Sequence, residues 1–225
     1  MNRRQAIKTI TATGAFAVFA RLSPTAHAQE KAAGTGKQPA QGQSFRHSVS
    51  AGYGRMNPGK LAGEAKKLGI EGIDLLHPKD WEAVRKQGLV CSLAWGPSTI
   101  AKGFNRREHH EKMVAAYIER IDECAKAGVP NVICFSGERK GLSDEEGLEN
   151  CVHGLKQIAA AAEKAKVNVV MELLNSKVNH KDYQCDHTKW GVEVIKRVAC
   201  ERIKLLYDIY HMQIMEGDII RTIRE

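Results

Sequence analysis

The amino-acid sequence predicts an α/β protein built around a parallel sheet. Short apolar runs alternate with longer helical patterns from about residue 47 to the end of the 225-residue chain. Several of the helical patterns begin at proline and stop at glycine, as helices commonly do. Hydrophobic residues make up 43% of the chain, so a domain of this length can bury a large core.

Six strands are predicted, and most of their side chains are apolar on both faces. The strands cover residues 47–50, 72–76, 89–93, 131–135, 168–173 and 204–208. This pattern is expected where helices cover one face of a parallel sheet and a core fills the other.

The helices between these strands have recognisable first and last residues. The predicted helices run from Pro58 to Gly69, from Pro78 to Gly88 and from Asn105 to Gly128, and two more begin at Ser143 and Asp186. Asn105 and Ser143 are each followed three positions later by glutamate, which is the spacing of a capping box.

Six β/α units therefore follow residue 44. An eight-unit barrel typically needs about 250 residues. Periodicity alone leaves two architectures open. One is an open six-stranded α/β sheet, and the other is a (β/α)₈ TIM barrel truncated after about six units.

The N-terminus is predicted to be an export signal. Residues 1–28 contain a basic start with Arg3, Arg4 and Lys8, a mildly apolar stretch and a small-x-small cleavage site at residues 26–28. The paired arginines resemble a bacterial twin-arginine signal, which predicts export to the periplasm. The apolar stretch is too short to favour a stable membrane anchor. Residues 29–43 are predicted to be a flexible linker, and residues 44–225 to be the barrel domain.

The charge pattern gives little support for a nucleic-acid partner. The formal net charge is +8, but four of the 34 basic residues lie in the predicted signal, which leaves 30 against 26 acidic residues. A nucleic-acid surface requires clustered basic residues, and this small excess is spread along the chain. The six cysteines form no C-x-x-C pair, so we expect no essential disulfide. Cys91 and Cys134 lie within apolar runs, where we expect buried, reduced thiols.

Polar residues follow several of the predicted strands, where parallel α/β proteins place their active sites. Glu172 and Asp208 each end a largely apolar run. A carboxylate at such a place must be paired, hydrogen-bonded or metal-bound, and a helix cap or an ion pair would also explain it. His211 adds a donor or a ligand beside Asp208. Oxygen ligands with one imidazole favour Mn²⁺, Mg²⁺ or Co²⁺.

Two strings near these carboxylates are similar to a known family. MELLN (residues 171–175) and LLYDIYHMQ (residues 205–213) resemble the hydroxypyruvate isomerase branch of the xylose isomerase-like TIM barrels. GFNRR (residues 103–107) and FSGER (residues 135–139) fit the same branch. The resemblance extends from about residue 45 to residue 225, and the second string is its most specific part.

The resemblance implies a TIM barrel and a divalent-metal site. In that family a Glu after strand five, an Asp after strand six, a His after strand seven and a Glu after strand eight hold the metal. Glu172 and Asp208 match the first two ligands, and the other two are expected beyond Glu225. His211 matches a histidine that contacts the substrate.

The implied activity is isomerisation of a small α-hydroxycarbonyl compound, hydroxypyruvate to tartronate semialdehyde, through an enediolate. Glu172 would act as ligand and as acid and base, and Asp208 as ligand. His211 would donate a hydrogen bond to the substrate. We expect Asn175, Trp95 and His77 to line the substrate site.

Other functions remain open. They are a sugar 3-epimerase or isomerase, a non-catalytic sugar-binding homologue, a phosphodiesterase like endonuclease IV, and a truncated remnant of the family. A phosphodiesterase would require a richer cluster of metal ligands than this sequence shows. The expected partner is a small molecule, and a homo-oligomer is compatible with the sequence.

Overall fold

The structure is a computed structural model that describes residues 45–225. Six strands are present: β1 (Ser48–Ser50), β2 (Gly72–Leu76), β3 (Val90–Ala94), β4 (Asn131–Cys134), β5 (Asn168–Glu172) and β6 (Ile203–Leu206). Seven α-helices are described: α1 (Pro58–Lys67), α2 (Pro78–Lys86), α3 (His110–Ala127), α4 (Asp144–Ala165), α5 (Thr188–Val198), α6 (Ile209–Met215) and α7 (Ile219–Arg224). The predicted signal and linker lie outside the described residues.

All six strands are parallel and form one sheet in the order β1-β2-β3-β4-β5-β6. At least one α-helix lies between each strand and the next. Strand order that follows chain order is the arrangement of a (β/α) barrel wall. The predicted α/β class and the six β/α units are confirmed. The predicted strands match the observed ones to within two residues at either end.

The two faces of the sheet differ in how they are covered. Val132, Val169 and Ile203 lie side by side in β4, β5 and β6, and all three are fully buried. On the opposite face, Val170 pairs with Lys204, which is exposed, and Glu172 pairs with Leu206. Because side chains alternate along a strand, Glu172 lies on this second, more open face.

The long helices bury one apolar stripe each. Helix α3 places Met113, Tyr117, Ile121 and Cys124 in the core, and α4 adds residues including Leu148, Leu155, Ile158 and Ala162. These positions recur every three or four residues, which is the spacing of one helix face. The helices therefore pack this stripe against the buried face of the sheet.

Two of the predicted helix caps are wrong, and one is confirmed. The Ser143 side chain accepts the Glu146 N–H and caps α4 as expected. Asn105 does not cap α3, which begins five residues later, after a 3-10 turn at Arg107–His109. The N-cap of α5 is His187 and not Asp186.

Longer-range hydrogen bonds explain both differences. The buried Asn105 side chain donates to the Glu138 carbonyl at 2.8 Å and to Gln184 Oε1 at 3.0 Å. The Asp186 carboxylate accepts hydrogen bonds from Arg139 and Ser176. These partners hold the two side chains between loops and away from the helix ends.

All six cysteines are buried free thiols, and the predicted burial of Cys91 and Cys134 is confirmed. Burial raises the pKa of Cys91 and of Cys124 to about 12. Among residues 45–225, no helix combines the length and the apolar character that crossing a membrane requires.

Candidate active site

Glu172, Asp208 and His211 meet at the carboxyl ends of β5 and β6. Glu172 is the last residue of β5 and pairs with Leu206 of β6. Asp208 follows β6 by two residues, and His211 lies in the first turn of α6. Each residue offers one potential ligand atom, and these three atoms lie within 4.8 Å of one another. The structure thus brings together the three residues that the sequence analysis singled out after strands five and six.

Asp208 has two roles in this arrangement. Its Oδ1 accepts the N–H of Tyr210 at 2.8 Å and of His211 at 3.1 Å, so it caps α6. Its Oδ2 is 4.0 Å from His211 Nε2. The cap fixes the side chain through one oxygen, and the second oxygen stays available to the site.

The site disfavours a second negative charge. Burial, together with the charge of Asp208, raises the pKa of Glu172 to about 7. Burial lowers the pKa of His211, against the opposing effect of Asp208. At neutral pH the imidazole is therefore mostly uncharged and does not neutralise the two carboxyl groups.

This donor set fits a divalent cation. Within the part of the chain that the structure describes, neither Glu172 nor Asp208 has a lysine or arginine within 4.0 Å. Carboxylate oxygens are the preferred ligands of Mg²⁺ and Mn²⁺, and a cation would offset both the burial and the Asp208 charge that raise the pKa of Glu172. The residues that would hold the cation are Glu172 and Asp208.

Asn175 lies beside this cluster in the turn after β5, and it is fully buried. Its Oδ1 accepts two backbone N–H groups, those of Val178 and Asn179. Its Nδ2 contacts His211 Nδ1 at 2.6 Å and Asn179 Oδ1 at 2.8 Å. The amide thus uses both donor and both acceptor positions inside the protein, so the predicted substrate contact would require one of these bonds to break.

His77 and Trp95 form a separate aromatic group at the ends of β2 and β3. Their ring centroids are 6.2 Å apart with planes inclined by 23°, and Phe135 lies 6.4 Å beyond Trp95. Together with residues 96–101 they line an open cavity of about 530 Å³. His77 occupies the N-cap position of α2, but its side chain makes no capping hydrogen bond.

Three residues around His211 were not identified from the sequence. The His180 and Tyr210 rings lie 5.2 Å and 5.0 Å from the imidazole, between centroids. Tyr210 also donates a hydrogen bond to Asn179 Oδ1 at 2.9 Å. The signals that could have pointed to them are weak: Asn179 lies one helical turn after Asn175, and Tyr210 lies inside the string that includes Asp208.

Arg139 and Asp186 connect the loops that follow β4 and β5. Arg139 Nη2 is 3.0 Å from Asp186 Oδ1 and 3.2 Å from Asp144 Oδ1. Ser176, next to Asn175, donates a hydrogen bond to Asp186 Oδ2 at 2.5 Å. This ion pair therefore anchors the turn in which Asn175 lies.

Comparison with known proteins identifies relatives that align over most of this chain. The chain is 27% identical over 181 residues to hydroxypyruvate isomerase from Escherichia coli, an alignment that covers 72% of this chain and 67% of that protein. The chain thus spans about two thirds of the length of this relative.

Solved structures show the same fold at lower identity. An AP endonuclease of family 2 from Brucella melitensis superposes with a TM-score of 0.71 at 20% identity, over 80% of this chain and 74% of that one. A D-psicose 3-epimerase from Clostridium cellulolyticum superposes with a TM-score of 0.67 at 18% identity, over 80% and 69%.

A family profile matches most of the chain. The profile described as xylose isomerase-like TIM barrel covers residues 62–225, which include five of the six strands and the whole Glu172, Asp208 and His211 cluster. Sequence profile, strand order and structural neighbours agree. The chain belongs to the xylose isomerase-like TIM barrel family.

Proposed function

We propose that the protein is a divalent-metal-dependent isomerase that converts hydroxypyruvate to tartronate semialdehyde. The proposal rests on the cluster of Glu172, Asp208 and His211 at the carboxyl ends of two parallel strands. It is supported by the similarity to hydroxypyruvate isomerase from Escherichia coli. Two carboxyl groups and an imidazole that lie this close together can transfer protons next to a bound cation.

Glu172 and Asp208 would hold the cation, and Mn²⁺, Mg²⁺ and Co²⁺ are the candidates. A bound cation would supply positive charge that stabilises the negative charge developing on the substrate and makes the C–H next to the carbonyl more acidic. The side chains of the protein would carry out the proton transfer and orient the substrate.

Glu172 would remove the proton from C3 of hydroxypyruvate. A carboxylate beside a C–H group that the cation has made more acidic can accept that proton and give it up again. Loss of the C3 proton gives an enediolate, and protonation at C2 completes the isomerisation. The hydroxyl proton moves from the oxygen on C3 to the oxygen on C2, so no atoms are gained or lost.

Asp208 and His211 would orient these groups. Asp208 is fixed by its cap on α6, so its free oxygen has a defined position. His211 is mostly neutral and would donate a hydrogen bond to a substrate oxygen on which negative charge develops.

A second candidate is a 3-epimerase or isomerase of free sugars. The cavity beside His77 and Trp95 favours it, because aromatic faces stack well on the apolar side of a sugar ring. A structure of D-psicose 3-epimerase also has this fold. Epimerisation begins with the same proton removal but returns the proton to the other face of the same carbon.

The test is turnover of hydroxypyruvate by the full-length gene product that contains this chain, with added Mn²⁺ or Mg²⁺. Glu172→Gln keeps the shape of the side chain but cannot accept the proton, so kcat is expected to fall by about 10²- to 10⁴-fold. Glu193→Gln is the matched control, because Glu193 forms a surface ion pair with Arg197 on α5. Its kcat should be unchanged.

The same assay separates the two candidates. A folded protein that binds Mn²⁺ and leaves hydroxypyruvate unchanged, but epimerises D-psicose, would overturn the first candidate in favour of the second. Activity on hydroxypyruvate that survives Glu172→Gln would overturn the assignment of Glu172 as the base.

A further inference from the structure

Two backbone N–H groups fix the orientation of the Asn175 amide. Asn175 Oδ1 accepts the N–H of Val178 at 3.1 Å and the N–H of Asn179 at 2.9 Å. Rotating the amide by half a turn would place its NH₂ group against both of these donors. The Asn175 oxygen therefore faces the turn, and the nitrogen faces away from it.

The orientation of this amide decides which nitrogen of His211 holds the proton. Asn175 Nδ2 lies 2.6 Å from His211 Nδ1 and can only donate. His211 Nδ1 must therefore accept. A neutral imidazole with an accepting Nδ1 has its proton on Nε2.

The next layer of contacts reinforces the arrangement. The second hydrogen of Asn175 Nδ2 goes to Asn179 Oδ1 at 2.8 Å, and the same oxygen accepts the Tyr210 hydroxyl at 2.9 Å. The hydrogen bonds thus run from Tyr210 through Asn179 and Asn175 to His211. Turning the Asn179 amide would place its NH₂ group against the NH₂ group of Asn175, so the direction of the bond between them is fixed.

We propose that Asn175 is a positioning residue that holds His211 in the tautomer with the proton on Nε2, so that the imidazole donates a hydrogen bond into the site and does not bind the cation. A protonated Nε2 has no lone pair to offer a metal. The carboxylate oxygen nearest to His211 Nε2 is Asp208 Oδ2, at 4.0 Å. This distance is too long for a hydrogen bond, so the Nε2–H group is available to a substrate oxygen.

The assignment of a tautomer stands on the hydrogen bonds alone, and only the substrate contact rests on the proposed function. Asn175 was predicted to contact the substrate, and in this proposal it acts on the substrate only through His211. The sequence left two roles open for His211, hydrogen-bond donor and metal ligand. A proton on Nε2 allows the first role and excludes the second.

The test is the ring ¹⁵N spectrum of His211 in the full-length, metal-free protein at a pH where the imidazole is neutral. The unprotonated nitrogen resonates far downfield of the N–H nitrogen, so the spectrum identifies the tautomer, and His211→Gln assigns the signals. We expect the downfield signal at Nδ1.

Asn175→Asp is the decisive variant. Aspartate keeps the acceptor for the turn but replaces the donor facing His211 with an acceptor, which demands a proton on Nδ1. The ring should change to the Nδ1–H tautomer or to imidazolium. Turnover of the Asn175→Asp variant should fall by about 10- to 100-fold, the loss that is typical when a residue that orients an active-site group is replaced.

Two further variants make the result specific. Tyr210→Phe removes only the outermost hydrogen bond, so the wild-type tautomer should persist. If Asn175→Asp does not fold, Asn175→Ser keeps an acceptor for the turn but has no donor in reach of His211, and a mixture of tautomers is expected.

A downfield signal at Nε2 in the wild-type protein, or an unchanged ring in a folded Asn175→Asp or Asn175→Ser variant, would overturn the proposal. Absence of hydroxypyruvate turnover would overturn the proposed reaction but leave the tautomer measurement intact, so the two failures are distinguishable.

Discussion

Burial and the charge of Asp208 both disfavour the ionised form of Glu172, and they raise its pKa to about 7 from the ordinary value of 4.5. A group whose pKa is higher in the folded protein favours folding fully only below its unfolded pKa. For Glu172 this contribution is lost as the pH rises from about 4.5 to about 7. The carboxyl group that the proposed reaction needs therefore costs stability at neutral pH.

Replacing Glu172 by glutamine should stabilise the metal-free protein at alkaline pH. We expect Glu172→Gln to raise the free energy of unfolding by up to about 3 kcal/mol at pH 8 and by much less at pH 4.5, where the wild-type group is protonated in the folded state and still about half protonated in the unfolded state. Urea unfolding at the two pH values measures this. Glu193→Gln on the surface of α5 should show no comparable pH dependence, and an equal effect of Glu172→Gln at both pH values would contradict the prediction.

Single residues of the site differ in how far the sequence could identify them. Glu172 and Asp208 end apolar runs, so their position near a strand end was visible in the pattern. The hydrogen bond between Asn175 and His211 was not visible in the pattern, because it joins residues that are 36 positions apart in the sequence and that meet through the geometry of a turn. The resemblance to a known family named His211, and the structure then supplied its partner.

The loop after β3 crosses the end of β4 at very short range. A Cβ atom on Gly103 would lie 2.2 Å from the Phe135 carbonyl oxygen, and one on Gly96 would lie 2.0 Å from the Ile133 carbonyl oxygen. Both contacts are with backbone, which cannot move aside as a flexible side chain can. Only glycine fits at these two crossings.

We expect Gly103→Ala to destabilise the protein by about 3 kcal/mol or more, because the loop must lift from β4. Thermal unfolding provides the measurement. Gly63→Ala on α1 is the matched control: its Cβ would meet only Gln87 Oε1, at 3.7 Å, and alanine favours a helix over glycine by about 0.5–1 kcal/mol. The control should be slightly stabilising, and a Gly103→Ala variant of wild-type stability would show that the crossing is not rigid.

At the scale of elements, local signals predicted well and long-range competition caused the errors. Ser143 caps α4 through an N–H three residues away, so sequence spacing was sufficient. Asn105 has the same spacing but bonds to residues 33 and 79 positions away. Asp186 likewise pairs with Arg139, 47 positions away. A buried polar side chain takes the partner that satisfies it best, and spacing along the chain does not reveal a distant one.

At the scale of the whole molecule, the alternation of strands and helices was fully visible in the sequence. Apolar runs, opening prolines and closing glycines identified six units, and all six are present. The choice between an open sheet and a barrel wall was not visible, because strand order does not follow from periodicity. The strand order and the family resolve that choice.

We propose that the protein is exported through the twin-arginine pathway. The basic start of the sequence supports this, as do six buried free thiols that require no disulfide formation after export. Replacing Arg3 and Arg4 by lysine keeps the charge but removes the paired arginines, so the protein should remain in the cytoplasmic fraction of a bacterial host. Immunoblots of the cell fractions measure this, with Lys8→Arg as the control. Unchanged export of the double variant would contradict this route.

The strand order of the sheet has a consequence for how the chain assembles. Within residues 45–225, every strand pairs with its immediate neighbours in sequence, so each pairing closes a loop of about one β/α unit. Closing a loop of one unit costs less entropy than closing a loop of several units. As the ribosome delivers each new unit, it can dock on the edge that the previous one has just formed. The order of synthesis and the order of the strands in the sheet therefore coincide along this part of the chain.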